Sequence, residues 1–140
     1  MLQGSAPEYE TFERLSQGSY GVVHRIRLNN QGIMQQYALK EIALHNDKLK
    51  EELQGVLLIK KMQLEHENVV QCYDMWFNVD EVRMYIMMEY CDNASLNEYT
   101  TSRCAELPDE LQVANWFLQI AKGTQVSSGH PTRITATLST

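Results

Sequence analysis

Two glycines three residues apart, Gly18 and Gly21 in LSQGSYGVV, and a lysine set into the run QYALKEI, Lys40, are residue types that could hold an anion. A glycine-bearing turn lets backbone N–H groups approach phosphate oxygens with no Cβ in the way. A lysine on an adjoining strand offers positive charge to the same oxygens. Together they suit a triphosphate. Either feature alone is weak, because hairpin turns use glycine routinely and edge-strand lysines snorkel to solvent; their order along the chain carries the weight. A lysine half buried in a sheet is costly unless a carboxylate holds it, so a helix after that strand should carry a glutamate on its inward edge. Glu52, beside Leu53 and Val56, stands on the border of such an apolar stripe.

The elements that must position these residues follow from periodicity. Residues 9–17 and 21–28 suit strands joined by the glycine-bearing turn, a hairpin. NNQG, ending at Gly32, is a second turn signal, and MQQYALKEIAL supplies a third strand. From Asp47 the spacing of Leu49, Leu53, Val56 and Ile59 or Lys60 becomes helical, with Asp47 or Asn46 as cap and Gly55 in its middle. VVQCYDMWFNV turns at NVDE into VRMYIMME, where Val82, Met84, Ile86 and Met88 alternate with Arg83, Tyr85, Met87 and Glu89, a second hairpin. SLNEYTTS forms a short helix. PDELQVANWFLQIAK forms a longer one, with Pro108 in its first turn and Leu111, Ala114, Phe117 or Leu118, and Ala121 as its apolar stripe. Beyond Gly123 small hydroxyl residues dominate, and residues 123–140 read as a disordered tail outside the organised body, while residues 1–8 read as a flexible N-terminus. The fold class is α+β: five antiparallel strands, one helix between the third and fourth, then two helices.

Composition bounds the function. A chain of 140 residues with 44% apolar content can build one core. A net charge of −6 without a basic cluster argues against nucleic acid or an anionic membrane as partner. Cys72, Cys91 and Cys104 are an odd number outside any metal-ligand spacing, and they read as free thiols of a reducing compartment. Neither a signal peptide nor an eighteen-residue apolar window is visible, so the expectation is a soluble intracellular protein of the cytoplasm, or of the nucleus. His24, His45 and His66 fall on different elements, so no metal site is expected, and His66 reads as a turn residue. Trp76, Phe77, Trp116 and Phe117 read as core, as do the methionines of the fifth strand. Glu51 and Glu52 cannot act as paired carboxylates, since adjacent helix positions point about 100° apart.

Over residues 9 to about 123 the chain resembles the eukaryotic protein kinases. SQGSYGVV is similar to the G-x-G-x-x-G-x-V loop of that family, with Ser16 in place of the first glycine, and YALK is similar to its V-A-I-K strand. HENVV, MYIMMEYC and ANWFLQIAKG resemble the entry to the family's fourth strand, its fifth strand with hinge, and the start of its long C-lobe helix. The wording is most similar to the NIMA-related serine/threonine kinases, and parts are shared with the stress-responsive eIF2α kinases. The resemblance implies a kinase N-lobe with hinge over 9–91 and the start of a C-lobe over 92–122. It implies ATP as ligand, held by Leu15, Ser16, Gln17, Gly18, Ser19, Tyr20, Gly21 and Val23 of the loop. Ala38 then lies over adenine, Lys40 meets the α/β-phosphates, and Glu52 pairs with Lys40. Met88 is the gatekeeper, Glu89 and Cys91 present backbone groups to adenine, and Ser95 lies near the ribose.

Three departures bear on activity. Ser16 weakens loop geometry while leaving its N–H available. Glu52 lies fourteen residues before His66, about one and a half turns more than the family spacing; at that spacing Leu57 takes the glutamate's place. No H-R-D-x-x-x-x-N, D-F-G or A-P-E follows, so the substrate-orienting aspartate and the protein ligands of Mg²⁺ expected in a parent enzyme are missing from these residues. Two classes stay open. One is a truncated protein serine/threonine kinase, inactive by itself, whose parent moves the γ-phosphate of ATP to a protein hydroxyl. The other is a non-catalytic, pseudokinase-like nucleotide-binding or interaction module with a regulatory protein partner. In either case the last helix is expected to leave an apolar stripe exposed, with low autonomous stability or association as the result.

Overall fold

The computed structural model describes residues 7–18, 21–44, 66–92, 95–102 and 108–127. Alternating apolar residues on five segments build an antiparallel sheet of β1 (Glu10–Gly18), β2 (Gly21–Asn30), β3 (Ile33–Ala43), β4 (Cys72–Asn78) and β5 (Arg83–Glu89). The order across it is β1-β2-β3-β5-β4, so β5 lies between β3 and β4. Both faces of the central strands carry apolar side chains. Ile26, Leu39, Trp76, Tyr85 and Met87 cluster on one, with Tyr9, Leu28 and Tyr37 against them. Met75, Met84 and Ile86 cluster on the other, with Ile42, Leu44, Cys72, Phe77 and Met88. The alternation read from β5 is therefore a division between two cores, not between core and solvent.

Turn chemistry sets the hairpins. Gln31 and Gly32 take φ of 53° and 86°, as a two-residue turn matched to strand twist requires, and Asn29 Oδ1 accepts the Gly32 N–H at 2.8 Å. Between β4 and β5, Asn78 Oδ1 accepts the N–H groups of Asp80 and Glu81 at 3.1 and 3.3 Å. The helix expected between β3 and β4, with Glu52 and Leu57, lies outside the described residues.

On the first core, the Trp76 and Tyr85 rings stack at 5.7 Å, and the Tyr85 hydroxyl donates to Glu81 Oε2 at 2.8 Å. Burial first, then that bond and the Glu81 charge, push the Tyr85 phenol up to about 12. A folded-state pKa above the unfolded value stabilises the fold in full below pH 10 and loses that contribution as pH rises toward 12. Urea midpoints across pH 9 to 12 should therefore fall less for Tyr85→Phe than for the unaltered chain; parallel decline in the two would contradict this assignment.

The chain divides into two units. The described part of the first is 7–18, 21–44 and 71–90; that of the second is 66–70, 91–92, 95–102 and 108–127. In the second, His66 is a turn residue, its Nδ1 accepting the Asn68 N–H and its carbonyl the Val69 N–H, both at 3.0 Å. Helix α1 (Leu96–Ser102) opens with a capping box: the Glu98 N–H donates to Ser95 Oγ at 3.2 Å, and the Ser95 N–H returns to Glu98 Oε2 at 2.8 Å. The Ser95 hydroxyl first, then the Ser95 N–H, hold the Glu98 carboxyl below its usual range.

Helix α2 (Glu110–Ser127) departs from two expectations. It does not stop near Gly123. A Cβ there would lie 2.7 Å from the Asn68 carbonyl oxygen, so this glycine permits a close approach rather than ending the helix. Its buried stripe is Trp116, Gln119 and Gly123, with the Tyr99 ring edge-on to Trp116 and Asn68 Nδ2 donating to Gln119 Oε1. Leu111, Phe117 and Leu118 are 76, 68 and 54% exposed, so Phe117 is not core. The apolar stripe of Leu111, Ala114, Phe117 or Leu118, and Ala121 is the face left open, as expected of this helix.

Candidate functional site

Cross-strand register assembles the site residues of the first unit. One row across all five strands reads Ser16, Val23, Lys40, Ile86, Met75, and the next reads Glu13, Arg25, Ala38, Met88, Cys72. Residues paired across antiparallel strands share a face. The apolar members Met75, Ile86, Met88 and Cys72 identify that face as the second core. Lys40 thus stands half-buried between Val23 and Ile86, one row from buried Ala38 and from Met88. Its neighbour Glu41 lies on the opposite face, ion-paired with Arg83 and 3.8 Å from His24 Nε2. Strand alternation therefore separates Lys40 from the carboxylate beside it in sequence. Among the described residues no carboxylate pairs with Lys40.

The loop between β1 and β2 is closed by Gln17 opposite Val22 and Gly18 opposite Gly21. Gly18 has nothing within 4 Å of a Cβ built on it, so its backbone is open to a ligand on that side. Gly21 is different: φ is +119°, and a Cβ would lie 2.1 Å from the Glu41 carbonyl oxygen. That glycine serves the approach of β2 to β3. Leu15 is an extra residue at a register shift between Arg14 and Ser16 and is 38% exposed. Ser19 and Tyr20 lie outside the described residues.

At the other end of the face, the Glu89 N–H donates to the Gln71 carbonyl at 2.9 Å, and the Gln71 N–H to Glu89 Oε2 at 3.2 Å. The Glu89 N–H is therefore committed to protein. Cys91, exposed, and Ser95 belong to the second unit, where the Ser95 hydroxyl donates to Glu98 Oε2 at 2.6 Å. That hydroxyl is occupied in starting α1.

Arg25 and Tyr90 were not among the residues the motifs single out. Arg25 stands two positions after Val23, so alternation alone places both on one face. What the sequence lacks is any sign that the Arg25 guanidinium lies 4.7 Å from the centre of the Tyr90 ring.

The protein kinase domain family matches residues 9–127. The mouse serine/threonine-protein kinase Nek4 is 32% identical over 115 residues, 79% of this chain and 14% of that protein. The probable serine/threonine-protein kinase nek2 of Dictyostelium discoideum is 34% identical over 92 residues, 65% of this chain and 22% of that protein. The mouse interferon-induced, double-stranded RNA-activated protein kinase is 24% identical over 132 residues, 84% of this chain and 24% of that protein. The chain spans between about a seventh and a quarter of these relatives' lengths. Among the described residues no helix is long and apolar enough to cross a membrane.

Proposed function

The chain belongs to the protein kinase family, and from that premise we propose that its sheet is the ATP-binding part of a protein serine/threonine kinase. The observation that carries this reading is the row Ser16, Val23, Lys40, Ile86, which sets one half-buried cation beside the glycine-bearing loop and between two apolar neighbours, Val23 and Ile86. Apolar Val23, Ala38 and Met88 suit the flat faces of adenine. The Glu89 carbonyl suits its exocyclic amino group, an N–H donor. The N–H groups about Gly18 and the Lys40 ammonium suit the phosphates. When bound, ATP supplies the transferable γ-phosphoryl group; the chain's residues orient the base and neutralise charge.

These 140 residues do not by themselves complete phosphoryl transfer in this reading, since they hold no H-R-D or D-F-G segment to orient a hydroxyl or hold Mg²⁺. The parent activity would place the γ-phosphate on serine or threonine of a protein substrate. The test is titration with trinitrophenyl-ATP and displacement by unlabelled ATP, beside an assay for phosphate on a generic acceptor protein. Saturable, ATP-displaceable binding without transfer is expected. A chain that folds and binds no adenine nucleotide overturns the site, and transfer by the chain alone overturns the assignment of inactivity.

A further inference from the structure

Arg25 occupies the row of Ala38 and Met88, yet its side chain is held on several sides. Gln36 Oε1 accepts from its Nε at 3.0 Å and from its Nη2 at 2.6 Å, and Glu13 Oε2 accepts from its Nη1 at 3.2 Å. The guanidinium also lies 5.3 Å from the centre of the Phe12 ring and 4.7 Å from that of Tyr90. One planar cation thereby joins β1, through Phe12 and Glu13, to β3, through Gln36, and to Tyr90, the residue at which the chain leaves the sheet. Only a guanidinium can present forked N–H donors at its edge and a flat face to aromatic rings at once. On the opposite side the same segment is fastened by the mutual bonds of Glu89 and Gln71. The backbone at Glu89 and Tyr90 is thus secured from both flanks.

We propose that Arg25 is a positioning residue, tying Tyr90 to the β1–β3 sheet so that the Glu89 carbonyl stays fixed for an adenine nucleotide. This rests on the site reading above but makes a claim of its own. Without the tie, Tyr90 loses its hold on β1 and β3, and the segment after Met88 keeps only the Glu89–Tyr37 pairing and the Gln71 bonds, so the acceptor wanders more and binds its donor less well.

The test compares the unaltered chain with Arg25→Met, which keeps the apolar stem, and Arg25→Lys, which keeps the charge over the rings but loses the fork. Two readouts are taken: hydrogen exchange of the peptide containing Glu89 and Tyr90, and affinity for trinitrophenyl-ATP. For Arg25→Met, exchange should rise severalfold in that peptide and not at the β4–β5 turn, and Kd should rise about fivefold to tenfold. Arg25→Lys should fall between. Unchanged exchange, unchanged Kd, or faster exchange throughout the sheet each overturns the proposal, the last by reducing Arg25 to general stability. Should Arg25→Met fail to fold, Tyr90→Leu removes the aromatic end of the tie, and the same two readouts decide. If Lys40→Met weakens binding while Arg25→Met does not, the nucleotide site stands and the tie falls. If the unaltered chain binds no nucleotide, the site reading has failed instead, and an unchanged exchange pattern then removes the tie as well.

Discussion

Gly21→Ala should strongly destabilise the chain. The substitution adds one methyl group, but that methyl would sit 2.1 Å from the Glu41 carbonyl oxygen, a backbone atom that cannot rotate away, on a residue whose φ is +119°. Relief requires β2 to move off β3 beside the Val22–Glu41 and Val23–Lys40 pairs, in the middle of the site. The expected cost is at least about 3 kcal/mol, a large share of the stability of a domain this size. Gly32→Ala is the control. It also has positive φ, +86°, but nothing lies within 4 Å of the added carbon, so only the backbone preference of about 1 kcal/mol is lost. Urea denaturation of the two variants separates steric collision from conformational preference. Equal, small losses for both would show that the β2–β3 approach is looser than the geometry states.

Lys40→Met should have the larger functional effect and a small structural one. Met preserves the stem that fills space between Val23 and Ile86, so the sheet should melt within a few degrees of the unaltered chain. The lost ammonium is the one cation in its row. A charge-assisted contact to phosphate contributes about 1.5–3 kcal/mol, so the Kd for trinitrophenyl-ATP should rise by about tenfold to a hundredfold. Affinity within twofold of the unaltered chain would remove Lys40 from the site, whatever else binds. The comparison with Arg25→Met is informative because the two act differently: Lys40 is proposed to touch the ligand, whereas Arg25 acts only through Tyr90.

Much of the sheet is legible in the sequence because strand periodicity and turn chemistry are local. The alternation of Met84, Ile86 and Met88 with Tyr85 and Met87 assigns β5, and Asn29 to Gly32 announces the β2–β3 turn. The buried side of α2 was harder. Leu111, Ala114 and Leu118 satisfy helical spacing as well as any set, but the buried side is Trp116, Gln119 and Gly123. A polar glutamine and a glycine make poor markers of an inward face; they are there because Gln119 bonds Asn68 and Gly123 admits the Asn68 carbonyl. The role expected of Ser95 was legible only by family resemblance, and the local pattern Ser95-x-x-Glu98, itself a cap signature, describes the bonds it makes.

By itself the sequence determined the number and kind of the described strands, the glycine loop and the lysine strand after it, each from residues within a few positions of one another, and the kinase resemblance from the order of such motifs along the chain. Tertiary structure alone decided the rows. That β5 inserts between β3 and β4, that Lys40 meets Ile86 while Glu41 turns to Arg83, and that Arg25 reaches Tyr90 all depend on register between segments more than forty residues apart. Register is chosen by the joint packing of two apolar clusters and the close passage at Gly21, and no single segment carries that information.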